Sequence, residues 1–149
     1  MYVLRHGQTD RNIHGHSNSY NIGLNQTGKA QAAQLDGYYD VVICSNLKRA
    51  KQTLEYSKIR YGRIQPSELC REQRLEISDL LEGETLNTET DEQLKKRADE
   101  FRKLLQLYPK HKKILIISHY HFLKVLTGFK LENGELRTFN HNQSEIPLL

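Results

Sequence analysis

Short, continuous apolar runs recur along the chain and are separated by segments with helical spacing. The three clearest runs are residues 2–4, 41–44 and 114–117, and they are rich in β-branched side chains. Continuous rather than alternating apolar residues are typical of parallel strands that are covered on both faces. We therefore expect these runs to form strands inside a parallel sheet.

The clearest helix is predicted for residues 90–108. Thr90 and Gln93 match a capping box at its start, and Pro109 ends the pattern. Between these ends, apolar residues recur with the period of a helix: Leu94, Ala98, Phe101, Leu104 and Leu105. Such a stripe predicts the core-facing side of an amphipathic helix.

Weaker patterns indicate further helices. One is predicted at residues 25–35, one after the second apolar run, where Ser45 and Asn46 offer cap side chains, and one at 120–127, ending at Gly128. Residues 57–89 fit this scheme least, and we interpret them as one irregular strand followed by a surface excursion. The alternation predicts a single α/β domain over residues 1–149, a three-layer α/β/α sandwich with a mostly parallel open sheet.

Composition narrows the class of protein. The chain is 27% charged, and no apolar run approaches the ~20 residues that span a bilayer. The first predicted strand begins at residue 2, which favours a cytoplasmic protein without a signal peptide. Cys44 and Cys70 lack metal-site spacing and are expected to be buried free thiols. The net charge of +4 suits an anionic partner. The sequence lacks the interleaved aromatic and arginine residues that stack on bases, so nucleic-acid binding is not favoured.

Polar residues follow each predicted strand. The first run leads into Arg5 and His6, the second into Ser45 with Arg49 a turn later, and the last into His119. Ligands of open parallel sheets bind beyond the carboxyl ends of the strands. If the first and last runs are neighbours, two histidines and two arginines meet in one pocket.

These residue types suit phosphoryl transfer. The paired N–H donors of a guanidinium group match the spacing of phosphate oxygens, and their positive charge stabilises a phosphoryl group during transfer. A neutral imidazole is a competent nucleophile, and neighbouring arginines lower its pKa. Gly7 would let the backbone pass close to an anion. The sequence thus predicts a covalent phosphohistidine mechanism that needs no cofactor.

Four segments of the chain resemble the histidine phosphatase superfamily, also called phosphoglycerate mutase-like. LRHGQTDRN is similar to its RHGxTxxN signature, GLNQTGKAQA to LTxxGxxQA, CSNLKRAKQT to SxLxRAxQT, and ISHYHFLKVL to its second-histidine motif. The segments follow the family's order from residue 4 to about 126. The resemblance implies the phosphoglycerate mutase-like fold, in a short member with a reduced cap.

The resemblance also implies roles for the matching residues. His6 would accept the phosphoryl group, while Arg5, Arg49 and His119 would hold it. Gln8 or Thr9, together with Asn12, would line the entrance. The family's carboxylic acid, which protonates the leaving oxygen and then activates water, would be Glu72 or Glu76, and the resemblance of LCRE to the family's LxE segment favours Glu72. Glu84 and Arg97 would support the site.

Several positions depart from the family's pattern. Tyr120 replaces the glycine that follows the second histidine, so it would add a side chain to the pocket rim or alter the backbone there. The acidic residue before the LTxxG segment is replaced by residues 21–23. The stretch between Arg49 and His119 is short, as in bacterial phosphohistidine phosphatases. A phosphorylated small molecule or a phosphoprotein could therefore be the substrate.

Other functions remain open at this point. The pairs His14–His16 and His119–His121 have a spacing that can place two imidazoles on one metal ion, although no carboxylate follows at ligand spacing. The same fold could bind a phosphorylated partner without turnover, and a phosphomutase is a further possibility. The substrate would be selected by residues 13–23, by residues 57–89 and by the C-terminal tail.

Overall fold

A computed structural model describes residues 1–140 of the chain; the last part of the C-terminal tail lies outside the described residues. The strands are β1 (Tyr2–Arg5), β2 (Asp36–Ser45), β3 (Lys58–Ser67), β4 (Ile114–Ser118) and β5 (Leu136–Thr138). The helices are α1 (Asp10–His14), α2 (Gln26–Ala33), α3 (Lys48–Tyr56), α4 (Asp91–Leu105) and α5 (Tyr120–Thr127), with one 3-10 turn at Ile77–Asp79.

The strands form one open sheet in the order β3-β2-β4-β1-β5. Strands β1 to β4 pair in parallel, and β5 adds an antiparallel edge beside β1. Strands β1 and β4 are direct neighbours, with Leu4 opposite Ile117 and Arg5 opposite Ser118. The predicted three-layer α/β class is confirmed, and the short edge strand β5 is an element that the apolar pattern did not indicate.

The continuous apolar runs are explained by cores on both faces of the sheet. In β4, Ile114 and Ile116 pack with α4 and α5, whereas Leu115 and Ile117 pack on the opposite face with α3. Successive side chains of a strand point to opposite faces of the sheet, so every position must be apolar when helices cover both faces. Cys44 and Cys70 lie buried as free thiols, as predicted, and burial raises the pKa of Cys44 to about 12.

The helix boundaries were predicted closely where a capping box or a glycine marks the end of the helix. Thr90 and Gln93 form the expected capping box of α4, and Gly128 ends α5 in the left-handed conformation. The start of α3 differs, because its N-cap is Leu47, whose own N–H donates to the Ser45 hydroxyl at 3.2 Å. The short helix α1 was not predicted.

Residues 68–90 are more buried than the surface excursion that the sequence predicted. This segment contains the 3-10 turn and buries several polar side chains: Glu72, Gln73, Ser78, Asp79 and Glu89. It therefore carries part of the functional site rather than only surface. In the described part of the chain, no helix is long and apolar enough to cross a membrane.

Candidate active site

The carboxyl ends of β1 and β4 bring two histidine rings together. His6 follows β1 and His119 follows β4, and their ring centroids lie 5.1 Å apart. The backbone N–H of His6 donates to the carbonyl of Ser118 at 3.1 Å, which continues the pairing of the two strands. The strand ends therefore meet as the sequence predicts, because backbone register places them.

His6 is held as a neutral ring with a defined tautomer. Its Nδ1 lies 2.6 Å from the carbonyl oxygen of Gly7. Since a carbonyl can only accept, Nδ1 carries the proton and the lone pair is on Nε2. Burial, followed by the charges of Arg49 and Arg5, lowers the pKa of His6 well below its usual value. Neutral Nε2 is the form that can attack phosphorus.

Two guanidinium groups border the same cavity. Arg49, on the first turn of α3, donates to the carbonyl of Ser78 at 2.8 Å and to Asp79 Oδ1 at 2.9 Å. Arg5 donates from Nη1 to the carbonyl of Leu131 at 2.9 Å, and its buried Nε has no partner among residues 1–140. Each guanidinium has five N–H donors, so both retain donors for an anion.

His119 is fully buried beside these groups. Its Nε2 lies 2.7 Å from the hydroxyl of Ser45, and its Nδ1 has no hydrogen-bond partner within the described residues. Burial and the charge of Arg49 lower its pKa well below the usual value. The Ser45 hydroxyl can donate to Nε2, which places the ring proton on Nδ1 and makes it a donor for an anion.

The cavity bordered by His6, Arg5 and Arg49 has a volume of about 100 Å³. Its lining consists of Arg5, His6, Thr9, Arg11, Asn12, Arg49, Glu72, Tyr120 and His121. His119 packs beside His6 but is not part of the cavity lining. Asn12 Oδ1 accepts the N–H of Thr9 at 2.8 Å and closes the first turn of α1. A larger cavity, of about 480 Å³, lies between α3 and β3 but is lined by no arginine or histidine.

Gly7 and Gln8, which the sequence assigned to substrate contact, serve packing in this structure. A Cβ on Gly7 would lie 2.6 Å from the carbonyl oxygen of Gly28, and the Gly7 N–H donates to Thr53 Oγ1 at 2.9 Å. The Gln8 side chain accepts from Asn25 at 3.1 Å. Neither residue lines the cavity. Glycine is thus required where the loop crosses α2, and its amide is already used.

Glu72 reaches the cavity from the segment 68–90. Its carboxylate lies at the N-terminus of α5, where Oε1 accepts the N–H of Phe122 at 3.1 Å and Oε2 accepts the N–H of His121 at 3.2 Å. Burial raises the pKa of Glu72, but the hydrogen bond and charge of His121 and the charge of Arg49 outweigh it and lower the value to about 2. Glu72 is therefore ionised near neutral pH.

The rival carboxylate, Glu76, lies outside the cavity lining. It pairs with Arg11 Nε at 2.7 Å and accepts from the hydroxyl of Ser78 at 2.9 Å and from the N–H of Ser17 at 3.2 Å. These bonds tie the segment 68–90 to the loop after α1. The structure thus separates the two carboxylates between which the sequence left a choice.

Arg97 holds the backbone that leads to Glu72. Its Nη1 donates to the carbonyls of Leu69 and Arg71 at 2.6 and 2.7 Å, and its Nη2 pairs with Glu89 at 2.8 Å. Glu84 is not its partner; it pairs with Arg71 at 2.6 Å. Of the two supporting residues suggested by the resemblance, Arg97 is therefore the one that contacts the backbone of Glu72.

Comparison with known proteins agrees with this arrangement. The model of the histidine phosphatase superfamily, branch 1, matches residues 1–148. The chain belongs to this superfamily. An uncharacterized phosphatase of Bacillus subtilis, PhoE, is 32% identical over 136 residues, covering 78% of this chain and 69% of the relative.

Solved structures of the superfamily share the fold. The α-ribazole phosphatase of Shigella flexneri has a TM-score of 0.72 at 21% identity, over 91% of this chain and 87% of the other. The phosphoglycerate mutase of Thermus thermophilus has a TM-score of 0.67 at 18% identity, over 91% and 89%. The phosphoglycerate mutase-like fold is thereby confirmed.

Tyr120 is one of the positions that depart from the superfamily's pattern. Tyr120, which replaces the family's glycine, lines the cavity, and its ring centroid lies 5.0 Å from Cζ of Arg5. The substitution therefore adds an aromatic side chain to the rim, one of the two consequences predicted.

The two HxH pairs do not form a metal-binding site among the described residues. Among residues 1–140, no three His, Cys, Asp or Glu side chains lie together in a way that could hold a metal ion. His119 and His121 have separate partners, since His119 bonds with Ser45 and His121 bonds with Glu72.

Two residues of the cavity and its hydrogen-bond network were missed by the sequence analysis. Asp79 is fully buried and binds both Arg49 and Arg11. His121 was considered as half of an HxH metal pair, but its Nδ1 lies 3.2 Å from Glu72 Oε2 and its ring lines the cavity. An HxH pair at the start of a helix was the only available signal for His121, and an isolated acidic residue gives none for Asp79.

Proposed function

We propose that the protein is a phosphomonoester hydrolase that works through a covalent phosphohistidine on His6. The observation that supports this most is the neutral Nε2 of His6 in a cavity bordered by Arg5 and Arg49. A nucleophile without charge, placed among fixed positive groups, matches the needs of attack on a phosphate dianion.

The proposed reaction has two in-line displacements. His6 Nε2 attacks phosphorus while Arg5, Arg49 and His119 bind the three equatorial oxygens, and the alcohol leaves with a proton. Water then attacks the phosphohistidine and releases inorganic phosphate. The proton donor and base belong to the side of the cavity that contains Glu72.

The proposed substrate class is a phosphorylated small molecule or a phosphoprotein. The cavity of about 100 Å³ suits a phosphoryl group, so the remainder of the substrate would lie outside it. The name of the relative that is 32% identical, a phosphatase, supports hydrolysis in preference to the mutase alternative.

A substrate panel assayed with excess EDTA tests the proposal. Sugar phosphates, nucleotides, phosphoamino acids, p-nitrophenyl phosphate and a phosphohistidine protein cover the relevant classes. We expect phosphate release from at least one of them, unaffected by the chelator. Loss of turnover on chelation would instead support a metal hydrolase. Saturable binding of the panel without any phosphate release would support the non-catalytic module.

A further inference from the structure

The pairing of Glu72 with His121 raises a question about the proton donor, and the argument here depends on the function just proposed. The leaving alcohol requires a proton, and Glu72 is the carboxylate nearest the reacting groups, since it lines the cavity with His6. A general acid must carry a proton before it can donate one. The hydrogen bonds of Glu72 decide whether it can.

All four acceptor positions of the Glu72 carboxylate are occupied by N–H donors. Oε1 accepts the backbone N–H groups of Gln73 and Phe122 at 2.9 and 3.1 Å. Oε2 accepts the backbone N–H and the Nδ1–H of His121, each at 3.2 Å. A carboxylate has about four lone-pair sites, so a proton on Glu72 would have to displace one of these bonds. The structure therefore favours the ionised form of Glu72.

His121 is placed to carry the proton instead. Its ring lines the same cavity, and its side chain is 41% exposed, against 6% for Glu72. Because Nδ1 donates to Glu72, Nε2 is the nitrogen left to exchange a proton with a substrate or with water. An imidazole oriented by a carboxylate through one nitrogen and reactive through the other is an established acid–base arrangement.

We propose that His121 is the general acid and base of this phosphatase, and that Glu72 is a positioning residue that orients the His121 ring and stabilises its protonated form. The assignment transfers the proton role from the carboxylate to the imidazole beside it. Tyr120 contributes to the placement, since its ring packs edge-on against His121 with centroids 5.1 Å apart.

The charges around His121 favour its protonated form on balance. The hydrogen bond with Glu72 is the largest influence and raises the pKa of His121, while burial and the charge of Arg11 oppose it. Other charged groups face it or border the adjacent groove from the segment 68–90, α4 and α5: Asp79, Asp91, Glu92, Lys95 and Lys124. A raised pKa keeps the imidazolium to a higher pH than in a free histidine, which favours His121 as a proton donor.

The atoms balance in both steps. In the first step His6 Nε2 bonds to phosphorus, the bond from phosphorus to the alcohol oxygen breaks, and that oxygen takes the proton from His121 Nε2. In the second step a water oxygen bonds to phosphorus while neutral His121 Nε2 takes a proton from the water. The P–N bond then breaks, its electron pair returns to His6, and phosphate leaves with His121 protonated again.

Leaving-group dependence tests the assignment. We expect His121→Gln to lower kcat/KM for an alkyl phosphate by about 10²-fold, the lower range for acid–base catalysis, and to change p-nitrophenyl phosphate much less, because nitrophenolate leaves without a proton. His111→Gln, a change at an exposed histidine before β4, is the matched control and should leave both rates unchanged. An equal loss for both substrates in His121→Gln would overturn the proposal.

The pH profile separates His121 from Glu72. In the native enzyme, kcat/KM for the alkyl phosphate should fall as pH rises through the elevated pKa of His121, because the acid form disappears. Glu72→Gln removes the neighbouring negative charge and should move this limb to lower pH. If Glu72 were itself the acid, His121→Gln would retain the limb and Glu72→Gln would abolish it.

Formation of the phosphohistidine distinguishes failure of this inference from failure of the proposed function. His121→Gln should still transfer label from p-nitrophenyl phosphate to His6, and hydrolysis of that label should be slow. Label on His6 together with an unchanged leaving-group dependence would reject the role of His121 alone. If native protein and variant both lack label with every substrate, the proposed function fails as well.

Discussion

The two sides of the cavity are built in different ways. His6 lies on the side formed by the ends of adjacent parallel strands, with the His119 ring packed beside it, and backbone pairing such as Arg5 opposite Ser118 sets their positions. Glu72 and His121 lie on the other side, which joins the irregular segment 68–90 to the start of α5 by side-chain hydrogen bonds. The strand side derives its geometry from topology, whereas the segment side depends on a few polar contacts.

The segment side is also connected to Arg49, one of the two arginines proposed to bind phosphate. Asp79 Oδ2 accepts the N–H groups of Leu75 and Glu76 at 3.0 and 3.2 Å, while Oδ1 binds Arg49 at 2.9 Å and also contacts Arg11. One buried carboxylate thus orients Arg49 and fixes the turn of the segment. The comparison predicts that damage to the strand side removes chemistry outright, while damage to the segment side changes its efficiency.

The largest effect is expected on the strand side. His6→Ala should lower turnover by roughly 10⁴-fold or more, because it removes the proposed nucleophile. Initial rates with p-nitrophenyl phosphate measure the effect, and His111→Ala serves as the matched control. A variant that retained a tenth of the native rate would show that His6 is not the nucleophile.

A smaller loss is expected at the link between the two sides. Asp79→Asn should lower kcat/KM by about 10²-fold for good and poor leaving groups alike, because it misorients Arg49 rather than the proton donor. Kinetics with both substrate types measure this effect, and Asp99→Asn, a change at an exposed carboxylate that pairs with Arg102 away from the cavity, is the control. A loss confined to poor leaving groups would contradict the assignment of Asp79 to the orientation of Arg49 rather than to proton donation.

Acid should destabilise the protein through the strand side. His6 and His119 have pKa values well below 6.5 when folded, so the unfolded chain binds protons that the native state does not. The free energy of unfolding should therefore fall as pH drops below about 6.5, with a slope approaching roughly 3 kcal/mol per pH unit for two protons.

Denaturant titrations from pH 7 to pH 5 measure this slope. His6→Gln removes one of the two histidines and should reduce the slope by about half. Glu72 starts to contribute only at the acid end of this range, near the carboxyl pKa of 4.5 in the unfolded chain. The raised pKa of His121 contributes with the opposite sign, and that contribution is lost only above pH 6.5. Stability that stayed constant down to pH 5 would show that the two rings are not held neutral.

The smallest effect is expected at the rim. Tyr120→Leu removes the aromatic face beside Arg5 and should raise KM by about 2–5-fold, equivalent to about 0.5–1 kcal/mol for a partly exposed cation–π contact. Tyr120→Phe retains the face and should behave like the native enzyme. Equal changes in the two variants would indicate that the phenol hydroxyl, not the ring, matters.

Much of the strand side was predictable from the sequence. Continuous apolar runs identified β1, β2 and β4, and polar residues at their ends identified Arg5, His6, Arg49 and His119. This works because a strand buried on both faces leaves a strong pattern, and because parallel strands deliver their carboxyl ends to one edge.

The segment side was predictable only in part. Residues 68–90 lack a helical or alternating period because their order comes from individual hydrogen bonds, such as those of Asp79 and Arg97. The resemblance to the family indicated Glu72, but its ionised state and its pairing with His121 depend on contacts between residues 49 positions apart. No local pattern contains such information.

Trapping the covalent intermediate tests the central claim most directly. Native protein would be mixed with ³²P-labelled substrate, quenched in milliseconds at alkaline pH, where phosphohistidine persists, and digested for mass spectrometry. The account predicts acid-labile label on the peptide that contains His6, appearing before the steady state and absent in His6→Ala. Steady hydrolysis without any label on His6, or label on another residue, would contradict it.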